Sequence, residues 1–338
     1  MARACARVRV TSSWVMNPVE QVPYRGAVTT SRRLMLVHAH PDDESSSTGA
    51  TMATYAGQGA AVTLVTCTLG ERGDIVDADL AERVQSGDIS LSQLRIQELT
   101  EAMAALGVTD FVRLGGDGRW HDTGMVFGPD GLAAPPPDAD RDSFWRADLL
   151  AAADELVPLI RDRRPQVLIT YDQFGFYGHP DHIQAHRVAT YAMALAAVPS
   201  YRPDLGAPWQ VQRVLWPAFS ESQMRAVIAQ EKAARQAAID AGEEPEEAFF
   251  ANFDLNSGEK PPMCVADDEV AVRVDGYPVA AQRFAALRAY RSQIKPDEFF
   301  FKIEGAPQGV WWDECYRLAG GLPAPAGATD IFAGLPDS

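Results

Sequence analysis

The chain has 338 residues, 46% hydrophobic and 22% charged, which is the composition of a folded globular protein and excludes disordered and fibrous classes. A net charge of −16 repels phosphate backbones and anionic lipid, so the composition points away from nucleic acid and polyanions and towards a small neutral or cationic partner. No apolar run reaches the roughly 20 residues that span a bilayer, and the basic first residues lack the apolar core of a signal peptide, so the expected location is cytoplasmic and off the membrane.

Residues 1–31 show no sustained period and are read as a poorly ordered extension, with Met16 as an alternative start. Order begins with the apolar run RRLMLVHAH, followed by a helix over 44–59 closed at Gly57 and by the strand AAVTLVTCTLG, which together make a βαβ opening. Leu91, Leu94, Ile96, Leu99, Met103 and Leu106 recur at helical spacing up to Gly107, and the strand TDFVRLGG comes next. The proline-rich stretch 128–143 reads as a surface loop. A helix over 144–162, the strand QVLITYD and the apolar helix HIQAHRVATYAMALAA continue the alternation.

This pattern predicts an α/β, Rossmann-like, mostly parallel sheet with helices on both faces and a smaller C-terminal α+β region. The catalytic core is placed at 32–205, and the C-terminal region at 206–321 contains an insertion over about 222–262 that carries a helix near 223–241. EVAVRVDGY reads as a strand and PVAAQRFAALRAYRSQI as a long helix. The Pro, Ala and Gly-rich residues 322–338 read as a loose tail. Cys5, Cys67, Cys264 and Cys315 are scattered, which predicts free thiols rather than disulfides or a CxxC zinc site. Nothing in the composition fixes an oligomeric state.

In an open parallel sheet, ligands gather beyond the carboxyl ends of strands. Two such loops hold four of the six histidines: His38-Ala39-His40-Pro41-Asp42-Asp43-Glu44 after the first strand, and Tyr177-Gly178-His179-Pro180-Asp181-His182 after the strand at 166–171. A catalytic zinc takes three ligands from His and carboxylate and keeps one position for water. His40 and Asp43, at i and i+3 across the turn begun by Pro41, can face one ion, with His182 as the third ligand. Asp42 is then left beside the metal as a general base. The same set of two imidazoles and a carboxylate also suits ferrous iron. Glycines that would cradle a dinucleotide phosphate are missing from the first βα turn, which excludes that alternative for an α/β fold.

The segments VHAHPDDES, VTCTLGERGDI, LGGDGRWHDTGM and YGHPDHIQAH, in this order, resemble the LmbE-like, or PIG-L, family of zinc deacetylases over about residues 33–200. They look closest to the branch that deacetylates GlcNAc-inositol in mycothiol biosynthesis. The resemblance implies hydrolysis of an acetamide on an amino sugar, with His40, Asp43 and His182 on the metal and Asp42 as base. It further implies that His179 stabilises the oxyanion, that Asp181 tunes His179, and that Tyr177 polarises the carbonyl.

By the same resemblance Arg95 and Asp122 contact substrate, as do Asp74, which stands where relatives carry glutamate, and Ser47. Phe176 replaces a glycine before YGHPDH. The alternatives are a mycothiol S-conjugate amidase, disfavoured because Ser46, Ser47 and Thr48 stand where those enzymes have lysine, and a non-catalytic metal or carbohydrate binder, which has no need of Asp42.

Overall fold

The computed structural model describes residues 32–128, 133–242, 255, 260–304 and 307–336. The expected N-terminal extension, Met16 and Cys5 lie outside these residues, as does most of the insertion beyond residue 242.

In chain order the strands are β1 (Arg33–His38), β2 (Ala61–Thr66), β3 (Asp110–Arg113), β4 (Val126–Phe127), β5 (Ala133–Ala134), β6 (Val167–Ile169), β7 (Arg213–Ser220), β8 (Cys264–Val265), β9 (Val272–Asp275) and β10 (Asp313–Gly321). The α-helices are α1 (Asp43–Ser47), α2 (Gly49–Gly57), α3 (Ala78–Gln85), α4 (Leu91–Leu106), α5 (Leu149–Arg163), α6 (Gly175–Gly178), α7 (Pro180–Ala196), α8 (Glu221–Asp240) and α9 (Ala280–Ala289).

The main sheet runs β3-β2-β1-β6-β7-β10-β9. It is parallel from β3 to β7 and turns antiparallel at β10 and β9. The Rossmann-like α/β expectation therefore holds. β1 sits at its centre and is buried on both faces, which is why its sequence is a continuous apolar run rather than an alternation. Its period of two still divides the core: Leu34 and Leu36 join one apolar cluster with α2, α4 and α9, while Met35 and Val37 join another with α5 and α7.

Local chemistry sets the helix ends. Ser90 and Gln93 form a capping box at the start of α4, and Gly107 closes it with φ 73°. The helix expected from 144 begins at Leu149 instead, because Asp148 accepts the Ala151 N–H and a separate 3-10 turn occupies Phe144–Arg146. The helix expected over 44–59 breaks at Thr48 into α1 and α2, and the one expected over 278–294 is confined to α9.

Residues 322–336, expected as part of a loose tail, are tied down. Buried Arg213 on β7 donates to the carbonyls of Leu322, Pro323, Ile331 and Ala333, and Tyr55 accepts the Ile331 N–H while donating to Asp330. A composition rich in Pro, Ala and Gly gave no hint of this partner. Arg213→Met is expected to strand these carbonyls at a cost of at least about 3 kcal/mol. The melting temperature should fall by roughly 6 °C or more, with early protease cleavage after residue 321. A tail as resistant as in the wild type would contradict the clamp.

Cys67, Cys264 and Cys315 are free and buried. No helix among the described residues is long and apolar enough to cross a membrane.

Candidate metal and catalytic centre

The two loops singled out by their histidines meet at the carboxyl ends of β1 and β6, adjacent parallel strands. Pro41 and Asp42 turn the chain out of β1 into α1, and His40 N–H closes the turn on Asp43 Oδ2 at 2.8 Å. His179 caps α7, its Nδ1 accepting the Asp181 N–H at 3.1 Å, and Pro180 occupies the first turn. This start places His182 within the same turn, facing back to β1.

Asp43 lies between two imidazoles, with Oδ2 3.2 Å from His40 Nδ1 and Oδ1 3.2 Å from His182 Nε2. His182 Nδ1 donates to the Gly175 carbonyl at 3.2 Å, so the lone pair of the neutral ring is on Nε2. That buried Nε2 has no hydrogen-bond partner, although a carboxylate oxygen is within 3.2 Å. A carboxylate oxygen and an imidazole nitrogen at this distance share a cation, either a proton on the ring or a metal ion.

His40 is the meeting point of further charge: its Nε2 is 3.3 Å from Asp181 Oδ2 and 3.5 Å from Asp122 Oδ1. Burial works against the protonated form of His40, but Asp122, Asp181 and Asp43 outweigh it and raise the pKa well above the ordinary value. Burial likewise opposes ionisation of Asp43, yet His182 and His40 hold its carboxyl well below the usual range. So many carboxylates around one buried imidazole make a site built for positive charge. His40, His179 and His182 form one group with the spacing of metal ligands, and His40, Asp122 and Asp181 form another.

His179 and Asp43 differ in what their free atoms can offer. His179 Nδ1 is occupied as an acceptor, which puts the ring proton on Nε2, and burial together with His40 and His182 lowers its pKa to about 2. A neutral ring in that tautomer offers an N–H donor, while the carboxylate and imidazoles of Asp43, His40 and His182 are donor types that fit a divalent ion.

The supporting residues were less visible in the sequence. Tyr171, at the end of the β6 run, stacks on His182 with ring centroids 4.1 Å apart, and its hydroxyl accepts the Ala39 N–H at 3.0 Å. It thereby fixes both loops at once; its place just past an apolar strand was the signal that could have found it. Gly175 has φ +65°, and a Cβ there would sit 2.8 Å from Ile183 N and 3.0 Å from His182 Cβ, so only glycine allows the approach that holds His182. Phe176 adopts φ 66°; its N–H donates to Asp172 and its ring packs on Phe219.

Several expected roles are redistributed. Asp181 does not direct its carboxylate at His179: it accepts from Thr123 N–H at 2.8 Å and the Thr123 hydroxyl, and faces His40. Only its backbone N–H touches His179. Arg95 is buried to 1% exposure and gives its fork to Asp42 Oδ2 at 3.0 Å, to the Pro41 carbonyl, and to the Leu69 carbonyl at 3.3 Å, rather than to an open pocket.

Asp122 sits in the charged cluster, accepting from Arg72 and Gly124 N–H, while Glu71 accepts the Asp122 N–H. Ser47 donates to the Asp43 carbonyl at 2.6 Å. Asp74 is exposed, and no hydrogen bond or ion pair among the described residues joins it to the centre. Tyr177 stands edge-on to His182 at 5.1 Å and to His179 at 6.1 Å, and burial raises the pKa of its hydroxyl. His38 and His186 are packing residues, bonded to Tyr171 and Thr48 and to the Tyr171 carbonyl respectively.

A Rossmann-like sheet with a His/Asp metal-binding group and a separate carboxylate at its strand ends defines a hydrolase-type centre. The family model described as PIG-L: GlcNAc-PI de-N-acetylase matches residues 35–193. A protein from Nocardioides sp. named 1D-myo-inositol 2-acetamido-2-deoxy-alpha-D-glucopyranoside deacetylase is 49% identical over 313 residues, covering 91% of this chain and 100% of its own. One of the same name from Kribbella flavida is 47% identical, with 90% and 98% covered.

Among solved structures, the N,N'-diacetylchitobiose deacetylase from Pyrococcus horikoshii matches with a TM-score of 0.50 at 17% identity, covering 86% of this chain and 84% of its own. The 4-carboxy-2-hydroxymuconate hydratase from Pseudomonas putida also matches with a TM-score of 0.50, at 15% identity, covering 88% and 100%. A deacetylase and a hydratase thus share this fold, so the fold alone does not specify the reaction. The chain belongs to the PIG-L, GlcNAc-PI de-N-acetylase family, and it is an amide-hydrolysing enzyme.

Proposed function

We propose that the enzyme hydrolyses the acetamide of 1D-myo-inositol 2-acetamido-2-deoxy-α-D-glucopyranoside, releasing acetate and the free amino sugar. The observation that carries this reading is the 43–49% identity, over 90–91% of the chain, to relatives bearing that name. The partner is a dissolved amino sugar, and we place the reaction in the cytoplasm.

We assign His40, Asp43 and His182 to a zinc ion, with ferrous iron compatible with the same donors. Such an ion supplies Lewis acidity to the amide carbonyl and to the attacking water. Asp42 accepts the proton of that water as its oxygen bonds to the acetyl carbon, then passes the proton to the amine nitrogen as the C–N bond breaks. Neutral His179 donates its Nε2–H to the carbonyl oxygen as negative charge builds there, and Tyr177, kept protonated by burial, adds a second donor. Asp181 and Asp122 hold His40 in place; Asp74, Ser47 and Arg95 are left without a direct substrate role.

The test is a comparison of amine release from the inositol acetamide and from a mycothiol S-conjugate by zinc-loaded protein. We expect kcat/KM to favour the acetamide by at least about tenfold, the discrimination a site of this kind gains from one or two well-placed contacts. The opposite preference overturns the assignment in favour of the amidase.

A further inference from the structure

Asp42 is held in a way that its own segment does not explain. It has φ 102° and ψ −34°, a backbone conformation that a residue with a side chain rarely adopts, and its carboxylate makes no cap bond to α1. Two lines of buried groups fix it, and both lead to the turn after α9. In one, the Tyr290 hydroxyl donates to Glu44 Oε1 at 2.7 Å, and Glu44 Oε2 accepts the Asp42 N–H at 3.0 Å. In the other, Ser292 donates to Glu98 through its N–H and its hydroxyl, each at 2.7 Å. Glu98 lies 3.9 Å from Arg95 Nη1, and Arg95 Nη2 donates to Asp42 Oδ2 at 3.0 Å.

The Arg95 guanidinium also lies 5.7 Å from the centre of the Tyr290 ring, which joins the two lines. The turn is itself anchored, since the Ser292 carbonyl accepts the Val76 N–H at 2.9 Å and Arg291 pairs with Asp77. One line orients the backbone of Asp42 and the other its carboxylate.

We infer that Tyr290 and Ser292, which lie outside residues 35–193, are positioning residues for Asp42, acting through Glu44 and through Glu98 and Arg95. This rests on the reading of Asp42 as general base. Neither residue touches the reacting atoms. Each removes freedom from a strained residue whose proton transfer depends on placement, and an error of about 1 Å can cost on the order of 10²-fold in rate.

The experiment measures kcat, KM and zinc content for Tyr290→Phe, Ser292→Ala, their double variant and Ser292→Thr, with circular dichroism melts as a check on folding. We expect each single loss to lower kcat about tenfold and the double variant about 100-fold. KM should stay within about twofold, zinc should remain at the wild-type level, and the threonine variant, which keeps the hydroxyl, should retain most activity.

Unchanged kcat in the double variant overturns the inference, as does a rise in KM at constant kcat or a loss of zinc in step with activity. Should Tyr290→Phe not fold, Ser292→Ala against Ser292→Thr decides alone. Wild-type protein that releases no amine from the inositol acetamide removes the functional reading and this inference together, whereas an active wild type beside an equally active double variant removes only the inference.

Discussion

Asp42→Asn is expected to lower kcat by about 10²- to 10⁴-fold, the range a positioned general base contributes, while zinc content and KM stay near wild-type values. The substitution isolates proton transfer because it disturbs little else. Asparagine has the same shape, keeps an oxygen to accept from Arg95 Nη2, and is among the side chains that best tolerate the positive φ of 102° at this position. What it lacks is the basic oxygen. Metal analysis beside steady-state turnover provides the check; a fully active, metal-replete variant would show that another group takes the proton.

His182→Ala is expected to abolish measurable turnover and to leave purified protein with little bound metal. The imidazole is pre-oriented for a single ligand direction by the Gly175 carbonyl on Nδ1 and by the Tyr171 ring at 4.1 Å. In the proposed assignment the Nε2 of this ring faces Asp43, so alanine would remove one of three ligands. In the wild type, added zinc should raise the melting temperature, since an ion that binds only the folded chain stabilises it by mass action. That rise should vanish in the variant. Tyr171→Phe, which keeps the stack and loses the hydroxyl bond to Ala39, should weaken zinc binding by about 10- to 100-fold, as for other groups behind metal ligands. Full metal content in His182→Ala would move the ion elsewhere, with His179 the first candidate.

The parallel half of the fold was legible in the sequence because its signals are local. β1 is a continuous apolar run and α4 carries its own caps and period, so neither depends on distant residues for recognition. The two HPD loops stood out because histidines concentrated at strand ends, and the structure brings those loops together. β7 was not legible: Arg213, Trp216 and Pro217 interrupt it, and the Arg213 side chain is explained only by carbonyls more than a hundred residues away. β10 has the same problem, because its pairing with β7 spans most of the C-terminal region. Amphipathic α3 lies in a stretch that carried no expectation at all.

In the centre, the two histidine loops expected from the sequence do meet, but several side chains take partners that the sequence did not suggest. Arg95 and Asp42 are 53 positions apart, and nothing in either segment says that the guanidinium will turn inward. Similarly, the family resemblance implied that Asp181 tunes His179. At the start of α7 it is the Asp181 backbone N–H that meets His179, and the carboxylate turns to Thr123 and His40.

The antiparallel entry of β10 between β7 and β9 bears on the order in which the protein can be assembled during synthesis. Until residue 321 has left the ribosome, β7 presents an uncovered edge, and such edges invite pairing with other chains. Glu314, on the same late strand, accepts the Ala50 and Thr51 N–H groups at the start of α2, so even this early helix waits for its final partner. A nascent polypeptide halted near residue 300 would thus carry both histidine loops and yet be an aggregation-prone intermediate, needing chaperone cover for as long as the stall lasts.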